Sequence, residues 1–228
     1  MAERLAGSSG VTPTAAFIVT RVRTSPVRTT RATVLFADLR GYVGMAERLP
    51  AARVVPLLDE FLGVLAFAVE TYGGKIFHMA GDGMMAGFGV DGEGGEGGYG
   101  ASEALAAGHT MLSDFSPIAA RWRSELSVDS GIGVGLHEGE VAVGDLGPPP
   151  HRATTLVGDT VNVAARLCSR ARAGEVLFSY TVAAALDGNA SAAAPGLPPF
   201  LQLPQFELRG RRSPIDIWCV PAAERLAL

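Results

Sequence analysis

Two carboxylates in matching settings carry the clearest chemistry in this sequence. Asp82 stands at the tip of Gly73–Gly89, GGKIFHMAGDGMMAGFG, which reads as strand, tight turn, strand. Gly81 and Gly83 flank it and are free to take positive φ, and Met84–Phe88 is the apolar return. Taken alone, Asp82 reads as a turn former, since Asp-Gly turns are common. Asp38 changes that reading. It follows Arg31–Ala37, RATVLFA, a strand of buried type, and is itself followed by a glycine turn at Gly41. If that strand lies beside the hairpin, Asp38 and Asp82 converge. Two carboxylates with a few backbone oxygens suit Mg²⁺ or Mn²⁺, which keep waters and bind substrate phosphates. Held that close without a cation, one of the pair would have its pKa raised.

A second informative stretch is Val157–Arg170. Gly158-Asp159-Thr160 precedes a helix in which Asn162 and Arg166, four residues apart, share a face. Ala164 and Ala165 allow close approach, and the planar fork of Arg166 suits phosphate oxygens. The spacing also accommodates a plain solvated basic helix, because Arg170 and Arg172 follow.

The elements that must position these groups follow from periodicity. Val43–Leu49 reads as a short helix, and Pro50 breaks it. Ala51–Tyr72 reads as a long helix, with Val54, Leu57, Leu58, Phe61, Leu62, Leu65 and Val69 at helical spacing and Gly73-Gly74 ending it. Asp91–Gly100 is a glycine-rich loop without the Lys-Ser/Thr of a phosphate cradle. Ala101–Leu126 reads as a helix interrupted near Ser116-Pro117. Val128–His137 and Glu140–Leu146 read as a second hairpin turning at Glu138-Gly139. A strand is expected over Glu175–Ser179, a helix over Thr181–Leu186, and a last strand pair over Phe200–Leu208 and Pro214–Val220. Residues 1–30 read as an N-terminal tail or linker, with an added strand or short helix possible at Ala15–Val22. Residues 31–220 form the expected main domain, and 221–228 a C-terminal tail.

Composition bounds the function. The chain has 228 residues, 48% hydrophobic and 18% charged, which is the make-up of a well-cored globular protein. A net charge of −4 and the lack of a basic run argue against nucleic acid as a partner. The two cysteines, Cys168 and Cys219, have no metal-ligand spacing, which favours a reducing, cytoplasmic setting. No apolar segment has the length of a membrane span or the form of a signal peptide.

Taken together, the motifs resemble the catalytic domain of the class III nucleotidyl cyclases, the adenylate/guanylate cyclase family. The resemblance covers roughly Arg31 to Val220. It rests on Phe36-Ala37-Asp38-Leu39-Arg40-Gly41, on Gly81-Asp82-Gly83 with Ala86 and Phe88, and on the run from Val157 to Leu167, VGDTVNVAARL. Gly135-Leu136-His137-Glu138-Gly139 with Gly144, and Leu208-Arg209-Gly210, support it. Each motif alone is weak, and their order and separation make the set specific.

The resemblance implies an α+β fold with a ferredoxin-like βαββαβ core and extra C-terminal strands. It also implies a head-to-tail homodimer whose two active sites are shared. Asp38 and Asp82, helped by the Leu39 carbonyl, would hold two Mg²⁺ or Mn²⁺ ions. Asn162 from the other protomer would orient the ribose, and its Arg166 would neutralise charge on the α-phosphate. Gly41 and Tyr42 would line the substrate site, and Arg211 would hold the triphosphate. The reaction implied is conversion of a nucleoside triphosphate to its 3′,5′-cyclic monophosphate and pyrophosphate, in second-messenger signalling. Base selection in the family rests on two positions, here His78, where adenylate cyclases have Lys, and Thr155. Thr155 fits ATP, and His78 tolerates adenine without requiring it. The alternatives are cyclisation of GTP or a pyrimidine nucleotide, or a silent nucleotide-binding dimerisation module. The Gly-Gly-Asp/Glu-Glu-Phe signature of dinucleotide cyclases is absent.

Overall fold

A strand with consecutive apolar residues has two faces to cover, and β1 (Arg28–Arg40), apolar from Val34 to Ala37, is such a strand. Its Leu35, Ala37 and Leu39 point into one apolar cluster, while Ala32 and Val34 point into another on the opposite face. The rest of the chain covers both. The computed structural model describes residues 26–92, 99–148, 150–186, 200–207 and 214–221. After β1 come α1 (Tyr42–Arg48), α2 (Ala51–Thr71), the hairpin β2 (Lys75–Ala80) and β3 (Gly83–Phe88), and α3 (Ala101–Leu126). Then follow β4 (Gly131–Leu146), β5 (Ala153–Val157), α4 (Asp159–Arg170), β6 (Glu175–Ser179), α5 (Tyr180–Leu186), β7 (Leu201–Phe206) and β8 (Ile215–Pro221).

Among the described residues the strands form a single mixed sheet in the order β2-β3-β1-β4-β6-β8-β7, with β5 added to β4. β1 pairs antiparallel with β3 and, along its whole length, with β4; β6 runs parallel to β4. This is the α+β, ferredoxin-like architecture with extra C-terminal strands that the sequence implies.

The first face of the sheet holds the main core. From α2, Val54, Phe61, Leu65, Ala68 and Val69 fall on one helical face and are buried there. Helix α3 adds Leu105, Met111, Phe115 and Trp122, with Phe115 edge-on to both Phe61 and Trp122 at 5.7 and 5.2 Å between ring centres. Among the described helices, α4 is the one that covers the second face. No helix among the described residues is long and apolar enough to cross a membrane.

Three sequence expectations need correction. The helix expected to break at Ser116-Pro117 runs unbroken through Pro117. A mid-helix proline forfeits one hydrogen bond and costs roughly 3 kcal/mol, and here buried Phe115 and Trp122 on either side hold the helix to the core. The second correction concerns Glu138-Gly139, which is not a turn. It lies inside the sixteen-residue strand β4, paired with Thr33 and Ala32 of β1. Glu138 is buried and accepts a 2.9 Å hydrogen bond from Arg31. A Cβ at Gly139 would lie 2.6 Å from the Thr160 hydroxyl, so this glycine serves helix approach and not chain reversal. The reversal comes later: β4 and β5 pair antiparallel from Ala142↔Val157 to Leu146↔Ala153. β1 also begins at Arg28, inside the stretch expected to be linker.

Candidate active site

Strand alternation decides which side chains of β1 can act. Odd positions 35, 37 and 39 enter the main core, so Asp38 faces the other way, toward α4. β3 sits opposite in register, with Asp38 against Gly83. The hairpin tip is fastened to β1 by the Leu39 N–H, which donates to the Asp82 carbonyl at 2.8 Å. The convergence expected of Asp38 and Asp82 is therefore present. Both line a cavity of about 250 Å³, with His78, Ala80 and Met85 on the strand side and Ala165, Cys168 and Ser169 on the α4 side.

Burial pushes the Asp38 carboxyl above the ordinary carboxylate range, and the charge of Asp82 pushes in the same direction. Arg40, bonded to Asp38, opposes both. Two half-buried carboxylates that repel one another fit a hard divalent cation. Among the described residues no cluster of three His, Cys, Asp or Glu side chains accompanies them. That donor set suits Mg²⁺ or Mn²⁺, which complete their shells with carbonyl, water and phosphate oxygens, and it does not suit a closed zinc site.

Helix α4 is amphipathic, with Val163, Ala164, Leu167 and Cys168 buried against the sheet. It approaches β4 very closely: a Cβ at Gly135 would lie 2.0 Å from the Cys168 nitrogen and 2.5 Å from the Ala164 carbonyl. Thr160 donates to the Glu140 carbonyl at 2.6 Å and pins the first turn. Asn162 and Arg166 lie on the exposed side of this helix and are not among the residues lining the cavity.

Thr155 is half-buried in β5, opposite Gly144. His78 is exposed on the edge strand β2, just after a register shift that follows Ile76. The strands bearing these two residues approach one another near Gly87, where a Cβ would lie 3.0 Å from Leu156 of β5 and 3.2 Å from Phe77 of β2. Gly41 takes φ 90° as the N-cap of α1, and a Cβ there would lie 2.2 Å from the Asp129 carbonyl. Tyr42 packs, partly buried, against the main core. Arg211 and the Leu208-Arg209-Gly210 motif lie outside the described residues, as does Ala15–Val22. Sequence reading gave no role to Arg40 or to the cavity wall at Cys168 and Ser169. The available signal for Arg40 was its place two residues beyond Asp38 in a strand, which puts both on one face.

Residues 25–214 match the family described as the adenylate and guanylate cyclase catalytic domain. The chain belongs to that family. Its cyclase domain is 29% identical over 157 residues to an adenylate cyclase of Anabaena cylindrica, covering 65% of this chain and 29% of that protein. It is 34% identical over 142 residues to an uncharacterised protein of Mycobacterium tuberculosis, covering 62% of this chain and 24% of the other. The chain thus spans less than a third of the length of these curated relatives. Among solved structures, the adenylyl cyclase CyaB from P. aeruginosa superposes with a TM-score of 0.78 at 26% identity, over 88% of this chain and 98% of that one. The guanylyl cyclase Cya2 superposes with a TM-score of 0.70, also at 26% identity, over 88% and 97%. This is a nucleotidyl cyclase catalytic domain, and its neighbours include enzymes for both purines.

Proposed function

We propose that two copies of this chain form a head-to-tail dimer that converts ATP to cyclic AMP and pyrophosphate, with each active site built from both protomers. The observation that carries the reading is the placement of the polar groups. Asp38 and Asp82 share one cavity, whereas Asn162 and Arg166 of the same chain sit outside its lining, on the exposed side of α4. A second protomer is the simplest source of the missing half.

Bound at Asp38 and Asp82, Mg²⁺ or Mn²⁺ would supply activation of the ribose 3′-hydroxyl and neutralisation of the leaving pyrophosphate. The two carboxylates orient that site from a rigid strand and a fastened hairpin tip, with the Leu39 carbonyl as a further oxygen donor. The partner's α4 presents Asn162 to the ribose, which sets the 3′-oxygen in line with the α-phosphorus. Its Arg166 donates to the α-phosphate oxygens as charge develops on them. Gly41 and Tyr42 border the phosphates, and Arg211 takes the triphosphate. The base lies against His78 and Thr155. The Thr155 hydroxyl accepts from the adenine amino group, and a ring nitrogen of His78 donates to N1. The histidine is shorter than lysine, which leaves GTP and the pyrimidine nucleotides as the competing substrates. A domain of this kind acts in second-messenger signalling within the cytoplasm.

The test is incubation of the chain with Mn²⁺ and, separately, ATP, GTP, CTP and UTP, with products identified by mass. Cyclic AMP from ATP is the expected product, and it should vanish in Asp82→Ala. Mixing Asp82→Ala with Arg166→Ala should restore activity, because one site of the mixed dimer is intact. Absence of rescue in a verified heterodimer rules out sharing of the site, and a different cyclic product rules out the base assignment alone.

A further inference from the structure

Among the described residues Arg40 is ion-paired with Asp38, one of the two carboxylates, and the reaction above makes no use of it. It ends β1 on the same face as Asp38. Its guanidinium donates on one side to the Asp38 carboxylate. On the other side it donates to the Cys168 carbonyl and, through Nε at 2.9 Å, to the Ala171 carbonyl. Cys168 is in the last turn of α4 and Ala171 is its C-cap, so both carbonyls lie at the negative end of the helix dipole. Gly133 of β4 leaves the space: a Cβ there would lie 2.6 Å from the Arg40 Nε. Bridging a carboxylate and two carbonyls needs a planar fork with donors on more than one edge, which lysine lacks.

Asp38 consequently has two claimants. The structure pairs it with Arg40, and the proposed function pairs it with a divalent cation. A dication and a guanidinium on one carboxylate repel each other, so each weakens the other's hold. Arg40 transmits that competition to α4, the helix that carries Asn162 and Arg166. We infer that Arg40 is a positioning residue, a clamp joining the metal carboxylate Asp38 to the C-terminal carbonyls of α4, so that cation occupancy at one active site sets the docking of the helix that serves the other. The inference rests on the shared-site, metal-dependent reading given above. It makes the two sites of the dimer communicate through a single side chain in each protomer.

The test follows hydrogen exchange of peptides covering residues 163–171 in the full chain, with and without Mn²⁺, while electron paramagnetic resonance measures Mn²⁺ binding separately. In the wild type, Mn²⁺ should speed exchange of the last turn of α4 by roughly threefold, as expected for release of a local clamp without unfolding. In Arg40→Gln that turn should exchange fast from the start and ignore Mn²⁺, while Mn²⁺ binds several-fold more tightly than in the wild type. Arg40→Lys should return the Mn²⁺ affinity toward the wild-type value, because the charge is back, but not the exchange response, because the bridge is not. Asp38→Asn breaks the clamp from its other end and should show fast exchange without Mn²⁺, so the idea stands or falls even if Arg40→Gln does not fold. Wild-type protein that binds Mn²⁺ with unchanged exchange in α4 overturns the clamp and leaves the metal reading intact. Wild-type protein that binds no Mn²⁺ overturns the metal reading and the clamp with it.

Discussion

The two faces of the sheet are built on different physics. Toward α2 and α3 the contacts are large and apolar: Phe61, Leu65, Phe88, Phe115 and Trp122 are all 2% exposed or less. Toward α4 the sheet is lined with Gly133, Gly135 and Gly139, each of which would clash with a neighbour if it carried a Cβ. The first face gains stability from area removed from water. The second gains it from close approach, and its smaller apolar clusters leave room for Asp38, Arg40 and Thr160 among them. Stability and chemistry are thereby kept on opposite sides of the same strands, and a residue's parity in β1 or β4 assigns it to one or the other.

The sharpest way to break this division is to exchange the damage. Asp82→Ala should lower turnover roughly a thousandfold, the scale of losing a principal charge-stabilising group, with an unchanged denaturation midpoint. Phe61→Ala should do the reverse. It should cost roughly 3–5 kcal/mol in chemical denaturation and leave kcat near the wild-type value in the molecules that stay folded. If the two phenotypes mix, the faces are not separate. A finer probe is Gly135→Ala, on the α4 face. The atoms in its way are backbone of α4, so the helix must lift, at about 3 kcal/mol. Activity should fall with it, unlike Phe61→Ala, because the helix that moves carries Asn162 and Arg166. Circular dichroism melts with parallel turnover measurements separate the two outcomes. The smallest effect concerns Cys168, whose thiol burial pushes up to about 12 against the opposing influence of Arg40. The thiolate is the reactive form and is scarce well below that pH. At pH 8 an alkylating reagent should leave Cys168 unmodified in the native chain and label it fully once denatured, as peptide mass would show.

The local patterns made much of this visible in the sequence. The apolar stripe of α2, the glycine-flanked hairpin and the buried strand before Asp38 were all legible, and they brought Asp38 and Asp82 together. The face of α4 that carries Asn162 and Arg166 followed from helical spacing. What escaped depended on tertiary contact. Glu138-Gly139 has turn composition, but Gly139 accommodates Thr160, twenty-one residues away in sequence. Pro117 has breaker composition, yet flanking aromatic packing keeps the helix whole. β5 was not expected at all, since Ala153–Val157 is short and finds its stability in pairing with the far end of β4. Arg40 was hidden for the same reason: its partners Cys168 and Ala171 lie over a hundred residues downstream.

The edge position of β2 has a consequence for how such a domain can change over time. His78 belongs to none of the apolar clusters and follows an irregularity in the strand ladder. Its backbone pairs with Met85 whatever the side chain, and replacing that exposed side chain removes no packing from the interior, so sequences that differ at this position can have similar folding free energies. Under the proposed function the same position meets the nucleobase. Substrate choice is then open to drift and selection by single substitutions, while β1, which holds Asp38, stays under the full constraint of the core.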